Sequence, residues 1–303
     1  MPAPVALFVY KRADHARKTL AALAANDGAA ETDLIVFCDG ARGADDAQAV
    51  MQTRRVVQGA GGFKSLSIRE RPENLGLAQN IVQGVGEILE AHGRVIVLED
   101  DLITAPGFLT YMNLALDRYR DEPDAWHISG WNYPVDASDI ADAFFWSVMN
   151  CWGWATWADR WQHLKLDPKV FVDAFSTHQI RDFNLGDRVD FWNQMERNAA
   201  GDLSSWAIFW YATVFKNQGL CLNPSQSLVS NIGLDGSGEN SGRQAGDISE
   251  LPEQRSFALP AEVRIDNAAV ARVVTAIAAS HRRPHSYRWR LRRRRWKKYG
   301  LFG

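Results

Sequence analysis

The 303-residue sequence has no long apolar run and only three cysteines. No uninterrupted apolar stretch approaches the roughly 20 residues that a membrane-spanning helix requires. The residues ahead of Val5 hold no basic segment followed by an apolar one, so we expect no signal peptide. Cys38, Cys151 and Cys221 are odd in number and far apart, which argues against a disulfide framework or a zinc site and favours a reducing compartment.

Several sequence motifs that mark large enzyme classes are also missing. No GxGxxG follows the first apolar segment, so a classical dinucleotide site is not expected. The glycine-rich residues 59–62 lack the lysine and the hydroxyl residue of a phosphate-binding loop. Neither Gly-x-Ser-x-Gly nor His-Glu-x-x-His occurs, and the seven histidines show no metal-ligand spacing.

Charge is divided unequally along the chain. Residues 281–303 hold ten lysines and arginines and no acid, whereas the other 280 residues hold 24 basic and 36 acidic side chains. We predict that residues 266–303 form a helical basic tail and that its charges bind an anionic membrane surface on the cytoplasmic face. A solvated end or a nucleic-acid arm is the alternative interpretation of the same charges, and a nucleic-acid partner is not expected.

Strand-like and helix-like segments alternate through the first 120 residues. Short apolar runs predict buried strands, and apolar residues at helical spacing predict helices. The predicted strands cover residues 5–10, 33–38, 64–69 and 94–98, and the predicted helices cover 13–25, 44–58, 77–91 and 106–120. This order predicts an α/β fold with a mostly parallel sheet flanked by helices. No linker follows residue 120, so we expect the second half of the chain to pack on the same sheet.

An acidic turn, Glu99–Asp101, directly follows the strand predicted at residues 94–98. Ligands of open α/β sheets bind beyond the carboxyl ends of the strands. Adjacent carboxylates repel one another unless a cation or hydrogen-bond donors neutralise them, and carboxylate oxygens suit Mg²⁺ or Mn²⁺. The turn therefore indicates a divalent metal site next to phosphates, with a solvated acidic loop as the alternative.

Tryptophan is concentrated in the second half, where ten of the twelve lie between Trp126 and Trp210. Trp154, Trp157 and Trp161 fall at helical spacing. Flat aromatic faces suit sugar rings, although a core position is the alternative for each of them. Residues 233–242 contain four glycines and predict either a lid that orders on a ligand or a plain surface loop.

Three segments together resemble the core of a GT-A glycosyltransferase: Val97–Leu102, Ala105–Leu109 and Trp126–Asn132. Their order and spacing are similar to those of the N-acetylglucosaminyltransferase I family and its bacterial relatives. Weaker segments fit the same resemblance, which covers roughly residues 4–243: Asn74–Ala78, Trp152–Trp157 and Leu228–Gly233.

The resemblance implies a GT-A, Rossmann-like domain over residues 1–265, with a nucleotide-sugar-binding half at 1–120 and an acceptor-binding half at 121–265. It further implies a nucleotide-sugar donor that carries UDP, an Mn²⁺ or Mg²⁺ cofactor, and an inverting transfer. The acceptor would be a glycan or a lipid-linked sugar in bacterial polysaccharide or cell-envelope synthesis.

Carried over by position, the resemblance assigns roles to individual residues. Asp101 would bind the metal. The residues implied to bind the nucleotide-sugar are Arg12, Asp39, Asn74, Glu99, Asp100 and Ser237. Tryptophan faces would hold the acceptor, and the residues concerned are Trp131, Trp152, Trp154 and Trp206.

The sequence departs from the pattern of these relatives at one position. Many of them carry an aspartate, the presumed general base, where this chain has Ala207. Alanine accepts no proton, so we predict a substitute base among Asp202, Asp235 and Glu239. An inactive carbohydrate-binding or scaffold protein is one alternative. A nucleotidyltransferase is another, although the segment Tyr10–Asp14 lacks the glycines that such an enzyme carries there.

Overall fold

The computed structural model describes residues 1–137, 140–235 and 250–280, with the side chains of 278–280 excepted. The basic residues 281–303, Ser237 and Glu239 lie outside the described residues. Within those ranges, no helix has both the length and the apolar character needed to cross a bilayer. All three cysteines are described, and none forms a disulfide.

Alternating short strands and helices build the first half of the chain. The strands in the described part are β1 (Val5–Val9), β2 (Asp33–Cys38), β3 (Ser65–Glu70), β4 (Arg94–Glu99), β5 (Leu102–Thr104), β6 (Ala125–Ser129), β7 (Ala143–Trp146), β8 (Trp154–Trp157), β9 (Leu220–Pro224) and β10 (Val229–Asn231). The helices there are α1 (Ala13–Ala24), α2 (Ala44–Gln58), α3 (Leu77–His92), α4 (Phe108–Arg118), α5 (Ala158–Trp161), α6 (Lys169–Val172), α7 (Thr177–Phe183), α8 (Trp192–Ala199), α9 (Ala207–Lys216) and α10 (Asn267–Ser280).

Eight of these strands form one sheet, in the order β3-β2-β1-β4-β8-β6-β9-β7. β1 pairs in parallel with both β2 and β4, while β8 runs antiparallel between β4 and β6. From β1 the chain moves outward through β2 and β3 and then returns to place β4 on the other side of β1. The point between β1 and β4 is therefore a topological switch point, where open α/β sheets leave a crevice beyond their carboxyl edge.

The predicted α/β class, with a mostly parallel sheet flanked by helices, is confirmed, and the sheet is Rossmann-like. Strands β6 to β9 belong to the same sheet, as expected for a chain without a linker after residue 120. The helical interpretation of the tryptophan spacing is wrong, because Trp154–Trp157 is the strand β8 and only Ala158–Trp161 is helical. Every residue of this strand is buried, so the period-two alternation that identifies a half-exposed strand is absent.

Two apolar layers cover the sheet because side chains alternate along each strand. On one side, Val5 and Leu7 pack with residues of α1 and α4. On the other, Ala6 and Phe8 pack with α3, α9 and α10. Because helices pack on both sides of the sheet, they fix the positions of the strand ends at its carboxyl edge.

Two glycines of α3 give a matched test of this packing. A Cβ on Gly84 would lie 2.8 Å from Phe8, whose ring stacks on Phe37, whereas a Cβ on Gly86 would meet nothing within 4 Å. We expect Gly84→Ala to destabilise the protein by about 1–3 kcal/mol through overpacking. Gly86→Ala is expected to stabilise it by about 0.5–1 kcal/mol, because glycine is unfavourable inside a helix. Chemical denaturation measures both, and equal effects of the two substitutions would contradict the packing.

A buried histidine lies inside the aromatic core. The Nε2 of His127 contacts the backbone oxygen of Asn150 at 2.9 Å, and the Trp210 indole N–H donates to its Nδ1 at 3.2 Å. The His127 ring also stacks on Trp154 at 5.5 Å. Burial lowers the pKa of His127 to about 3, so the ring is neutral in the folded protein.

This histidine predicts a loss of stability in acid. Between pH 3 and 6.5 the unfolded chain binds a proton at His127 that the folded chain does not, so the stabilisation present above pH 6.5 is lost as the pH falls toward 3. We expect the free energy of unfolding to be about 2 kcal/mol lower at pH 5 than at pH 7 on this account. Denaturation curves of His127→Gln should show a smaller pH dependence. The control, His178→Gln, changes a side chain that is 81% exposed and should keep the wild-type slope.

Candidate functional site

Charged residues from three neighbouring strands meet at the carboxyl edge of the sheet. Arg12 follows β1, Asp39 follows β2, and the acidic turn Glu99–Asp101 lies at the end of β4. Since β1 lies between β2 and β4, Arg12 and the acidic turn lie on the two sides of the switch point. The candidate site is therefore located where this fold class forms its ligand crevice.

Arg12 binds two carboxylates of the acidic turn. Its Nη2 donates to Asp100 and, at 2.9 Å, to Asp101. The side chain of Arg12 is 19% exposed, and Asp100 and Asp101 are buried. Thr19 of α1 also donates to the backbone oxygen of Asp100 at 2.8 Å. The resemblance implies that Arg12 contacts the nucleotide, whereas in the structure its guanidinium donates to the two aspartates.

The electrostatics of the turn show the cost of holding three carboxyl groups close together in a buried position. Burial, with the charges of Asp101 and Asp100 added, raises the pKa of Glu99 to about 8. Burial also raises the pKa of Asp100, although Arg12 opposes that change. Burial alone would lower the pKa of Arg12, but the charges of Asp100 and Asp101 raise it. One guanidinium thus faces three carboxyl groups, an arrangement that an added cation would stabilise.

A glycine from the distant second half closes the site. The pair β5–β10 brings residues 231–233 back to the acidic turn, where the Ile232 N–H donates to the backbone oxygen of Asp101 at 2.9 Å. A Cβ on Gly233 would lie 2.1 Å from Oδ2 of Asp101 and 2.9 Å from Nη1 of Arg12. That Nη1 is buried and has no hydrogen-bond partner. Because residue 233 has no side chain, its backbone packs directly against the Asp101 carboxylate and the Arg12 guanidinium.

These residues fit a divalent ion that is shared with a phosphorylated substrate. Among the described residues, no three His, Cys, Asp or Glu side chains form a complete metal cage. Mg²⁺ in nucleotide enzymes commonly binds through one or two carboxylates and completes its shell with phosphate oxygens and water. Asp101 matches the carboxylate part of that donor set, and the Nη1 of Arg12, which has no hydrogen-bond partner, would suit a phosphate oxygen.

Gly233→Ala tests whether the close contact between Gly233 and the Asp101 carboxylate is needed for donor binding. The new methyl group must displace the Asp101 carboxylate, because 2.1 Å is far below any van der Waals contact. We expect donor affinity or turnover to fall by about tenfold to a hundredfold, the range seen when the groups that orient metal ligands are disturbed. The control is Gly43→Ala, where an added Cβ meets nothing within 4 Å. Wild-type donor affinity and turnover in Gly233→Ala would contradict the assignment.

Asp39 and Asn74 are occupied by a structural turn. Oδ1 of Asp39 accepts from the backbone N–H groups of Gly40 and Leu75, and Oδ2 accepts from Gly76 and from the Asn74 amide. The Asn74 amide also donates to the Gly40 oxygen at 2.8 Å. These hydrogen bonds hold residues 74–76 against the end of β2, and the nucleotide contacts implied for both side chains stay a prediction.

The four tryptophans implied to bind an acceptor fall into two pairs. Trp154 and Trp206 are buried, and their rings stack on each other at 5.1 Å. Neither offers a ring face to a ligand, so for these two the core alternative is correct. Trp131 and Trp152 are partly exposed, and their centroids lie 4.8 Å apart.

The candidate bases are distributed unevenly around the site. Asp235 lies at the end of the turn Gly233–Asp235, 3.3 Å from Nε2 of His15 on α1. Asp202 is exposed in the connection before α9. Ala207 is the first residue of α9 and carries no polar side-chain atom. Among the described candidates, Asp235 is the one that contacts His15 and shares a turn with Gly233.

His15 and Gly233 are residues of the site that the sequence did not predict. His15 is three residues beyond Arg12, the residue that precedes α1, so both lie at the start of that helix. The proximity of Gly233 to Asp101 could not be predicted because it depends on the pairing of β5 with β10.

No protein-family model matches the chain. Among solved structures, the chain is similar to a putative glucose-1-phosphate thymidylyltransferase from Bacillus anthracis, determined in complex with a sucrose. The two are 12% identical, the match covers 68% of this chain and 98% of the other, and the TM-score is 0.34. A similarity of this size does not bear on activity.

Proposed function

We propose that the protein is a metal-dependent glycosyltransferase that moves a sugar from a nucleotide-sugar to a glycan or a lipid-linked acceptor. One observation carries the proposal: the acidic turn Glu99–Asp101 and Arg12 meet at the switch point between β1 and β4. Carboxylates at that position suit a divalent ion, and a guanidinium suits a diphosphate. The sequence resemblance to GT-A glycosyltransferases agrees with this arrangement.

In the proposed reaction Asp101 would hold the ion, and Arg12 would donate its unpaired Nη1 to a phosphate oxygen. When bound, Mn²⁺ or Mg²⁺ supplies a positive charge that stabilises the leaving nucleoside diphosphate. Asp100 keeps Arg12 oriented through the remaining hydrogen bond. Glu99 orients the donor sugar, as the resemblance implies.

A carboxylate must take the proton of the acceptor hydroxyl, since Ala207 cannot. Asp235 is the first candidate, because it lies beside the donor residues and His15. Asp202 and Glu239 stay in the proposal as alternatives. An inverting outcome, a UDP-sugar donor, and a cytoplasmic enzyme held at the membrane by residues 281–303 are further parts of the proposal, and they rest on the sequence.

A donor screen tests the proposal. Purified protein is incubated with UDP- and GDP-sugars, Mn²⁺ and a panel of acceptor glycans, and free nucleoside diphosphate is measured. Metal-dependent release of UDP or GDP is the expected result. Release of pyrophosphate from a nucleoside triphosphate and a sugar phosphate would indicate a nucleotidyltransferase instead. Donor binding without release or hydrolysis over the whole acceptor panel would favour a scaffold protein.

A further inference from the structure

Two loops extend the candidate site along the carboxyl edge of the sheet. β4 and β6 both run antiparallel to β8, so the end of β4, the end of β6 and the start of β8 lie at one edge. Residues 130–133 follow β6, and residues 150–153 precede β8. The loops are joined by a hydrogen bond from the Gly130 N–H to the Gly153 oxygen. Residues 150–153 lie one strand from the acidic turn and residues 130–133 lie two strands from it, at about 5 Å per strand.

Three aromatic side chains form a partly exposed surface on these loops. Trp131 packs edge-on against Trp152 at 4.8 Å and against Tyr133 at 4.7 Å. We call Trp131, Tyr133 and Trp152 the aromatic face. Because the three rings support one another while each keeps part of its surface exposed, the face is rigid before any ligand arrives.

Cys151 connects the aromatic face to the acidic turn. Burial raises the pKa of this thiol to about 12, and the charges of Glu99 and Asp101 add to the rise. The geometry gives the same proximity, because β8 pairs with β4 up to Trp154 opposite Val97, and a Cβ on Gly153 would lie 3.3 Å from Leu98. Burial likewise raises the pKa of Tyr133 to about 12, and Cys151 adds to the rise. A ring bound on the aromatic face would lie next to the proposed donor site.

The same loop holds a buried amide without a partner. Asn150 is 8% exposed, and its Nδ2 is buried with no hydrogen-bond partner. Its backbone is held at the sheet edge, since its oxygen contacts Nε2 of His127 at 2.9 Å. About nine in ten or more buried polar groups are paired, so this unused donor, in the same loop as Trp152, marks a position where a bound hydroxyl group would supply the missing partner.

We propose that the aromatic face binds one neutral pyranose ring of the acceptor, with Trp131 and Trp152 against the ring and the Asn150 amide as donor to one of its hydroxyl groups. This assignment deepens the proposed function and rests on it. A neutral sugar is favoured because residues 130–133 and 150–153 contain no basic side chain that would pair with a uronic acid. The carboxylates of the acidic turn, one strand away, also repel an anionic ring.

Binding of simple sugars to the full-length protein tests the assignment without nucleotide or metal. Saturation-transfer NMR is recorded with methyl β-glucopyranoside, methyl β-galactopyranoside and methyl β-glucuronide. We expect transfer to a neutral glycoside and at least about tenfold weaker binding in Trp152→Ala and Trp131→Ala, the scale of an aromatic hot spot. Trp152→Phe should recover most of the affinity, and Leu166→Ala, which alters an exposed apolar residue elsewhere, should change nothing.

Asn150→Leu separates binding from packing. If the amide is only an unsatisfied core group, leucine leaves sugar affinity unchanged and protects the fold. If it donates to the acceptor, affinity falls about tenfold while the thermal midpoint stays the same or rises. Unchanged sugar affinity in Asn150→Leu, no transfer to either neutral glycoside, or a preference for the glucuronide overturns the proposal.

Donor binding is measured on the same variants with UDP-sugar and Mn²⁺. If wild type and the aromatic variants bind donor equally while no neutral sugar binds, the acceptor assignment fails and the proposed function stands. If sugars bind as expected but no nucleotide-sugar binds the wild-type protein, the proposed function fails and a carbohydrate-binding protein remains.

Discussion

Replacing Asp101 with alanine is expected to abolish metal-dependent donor binding while the protein stays folded. Asp101 is the carboxylate that packs against Gly233, and its loss removes the proposed protein ligand of the ion. Donor affinity in the presence of Mn²⁺ should fall at least about a hundredfold. The fold should survive because Nη2 of Arg12 keeps Asp100 as its partner. Isothermal titration of UDP-sugars with and without Mn²⁺ measures the effect, and circular dichroism checks the fold.

The matched control for Asp101→Ala is Asp173→Asn, which changes an exposed carboxylate at the end of α6. It should bind donor like the wild type. If Mn²⁺ has no effect on donor affinity in the wild type or in Asp101→Ala, the metal role of the acidic turn is wrong.

Replacing Arg12 with glutamine is expected to cost more stability than any other single change at this site. Asp100 and Asp101 are buried, and removal of Arg12 leaves both carboxylates without their cation. Breaking a buried ion pair by removing one partner commonly costs about 3–5 kcal/mol. Chemical denaturation in the presence of a chelator should show a loss of this size. Added Mn²⁺ should recover part of it, because the ion would replace the missing positive charge.

Arg17→Gln is the control on the same helix. Arg17 pairs with Asp14, but their side chains are 60% and 83% exposed, so this pair is screened by water and contributes little. In a second check, Asp100→Asn in the Arg12→Gln background should restore stability by removing one unpaired charge. Equal losses of unfolding free energy in Arg12→Gln and Arg17→Gln would show that burial of the Arg12 ion pairs does not contribute to stability.

Local pattern was sufficient for the first half of the fold. The runs at Val5–Val9, Asp33–Cys38 and Arg94–Glu99 are strands, within one residue of the predicted bounds. The helix over Leu77–His92 was equally clear from its apolar spacing. These segments can be predicted because each buries an unbroken or periodic apolar surface, and that pattern is visible in the local sequence.

The second half was harder to predict because the spacing of its tryptophans fits both a helix and a buried strand. Trp154 and Trp157 fit a helical stripe by spacing, yet they lie in a strand enclosed by β4 and β6. Which tryptophan would be core and which exposed depended on neighbours far away in sequence. Trp206, 52 positions after Trp154, covers the ring of that residue, and Trp131 keeps an exposed face.

By itself the sequence determined the α/β class, the position of the acidic turn at a strand end, and the absence of an aspartate at Ala207. Only the tertiary structure decided what those residues contact. Arg12 is 88 residues from Asp100, Gly233 reaches Asp101 through the β5–β10 pair, and Asp39 is occupied by residues 74–76. The physical reason is that strands and helices follow from local apolar periodicity. The partners of a charged side chain depend instead on the strand order, because that order brings strand ends that are distant in sequence to one edge of the sheet.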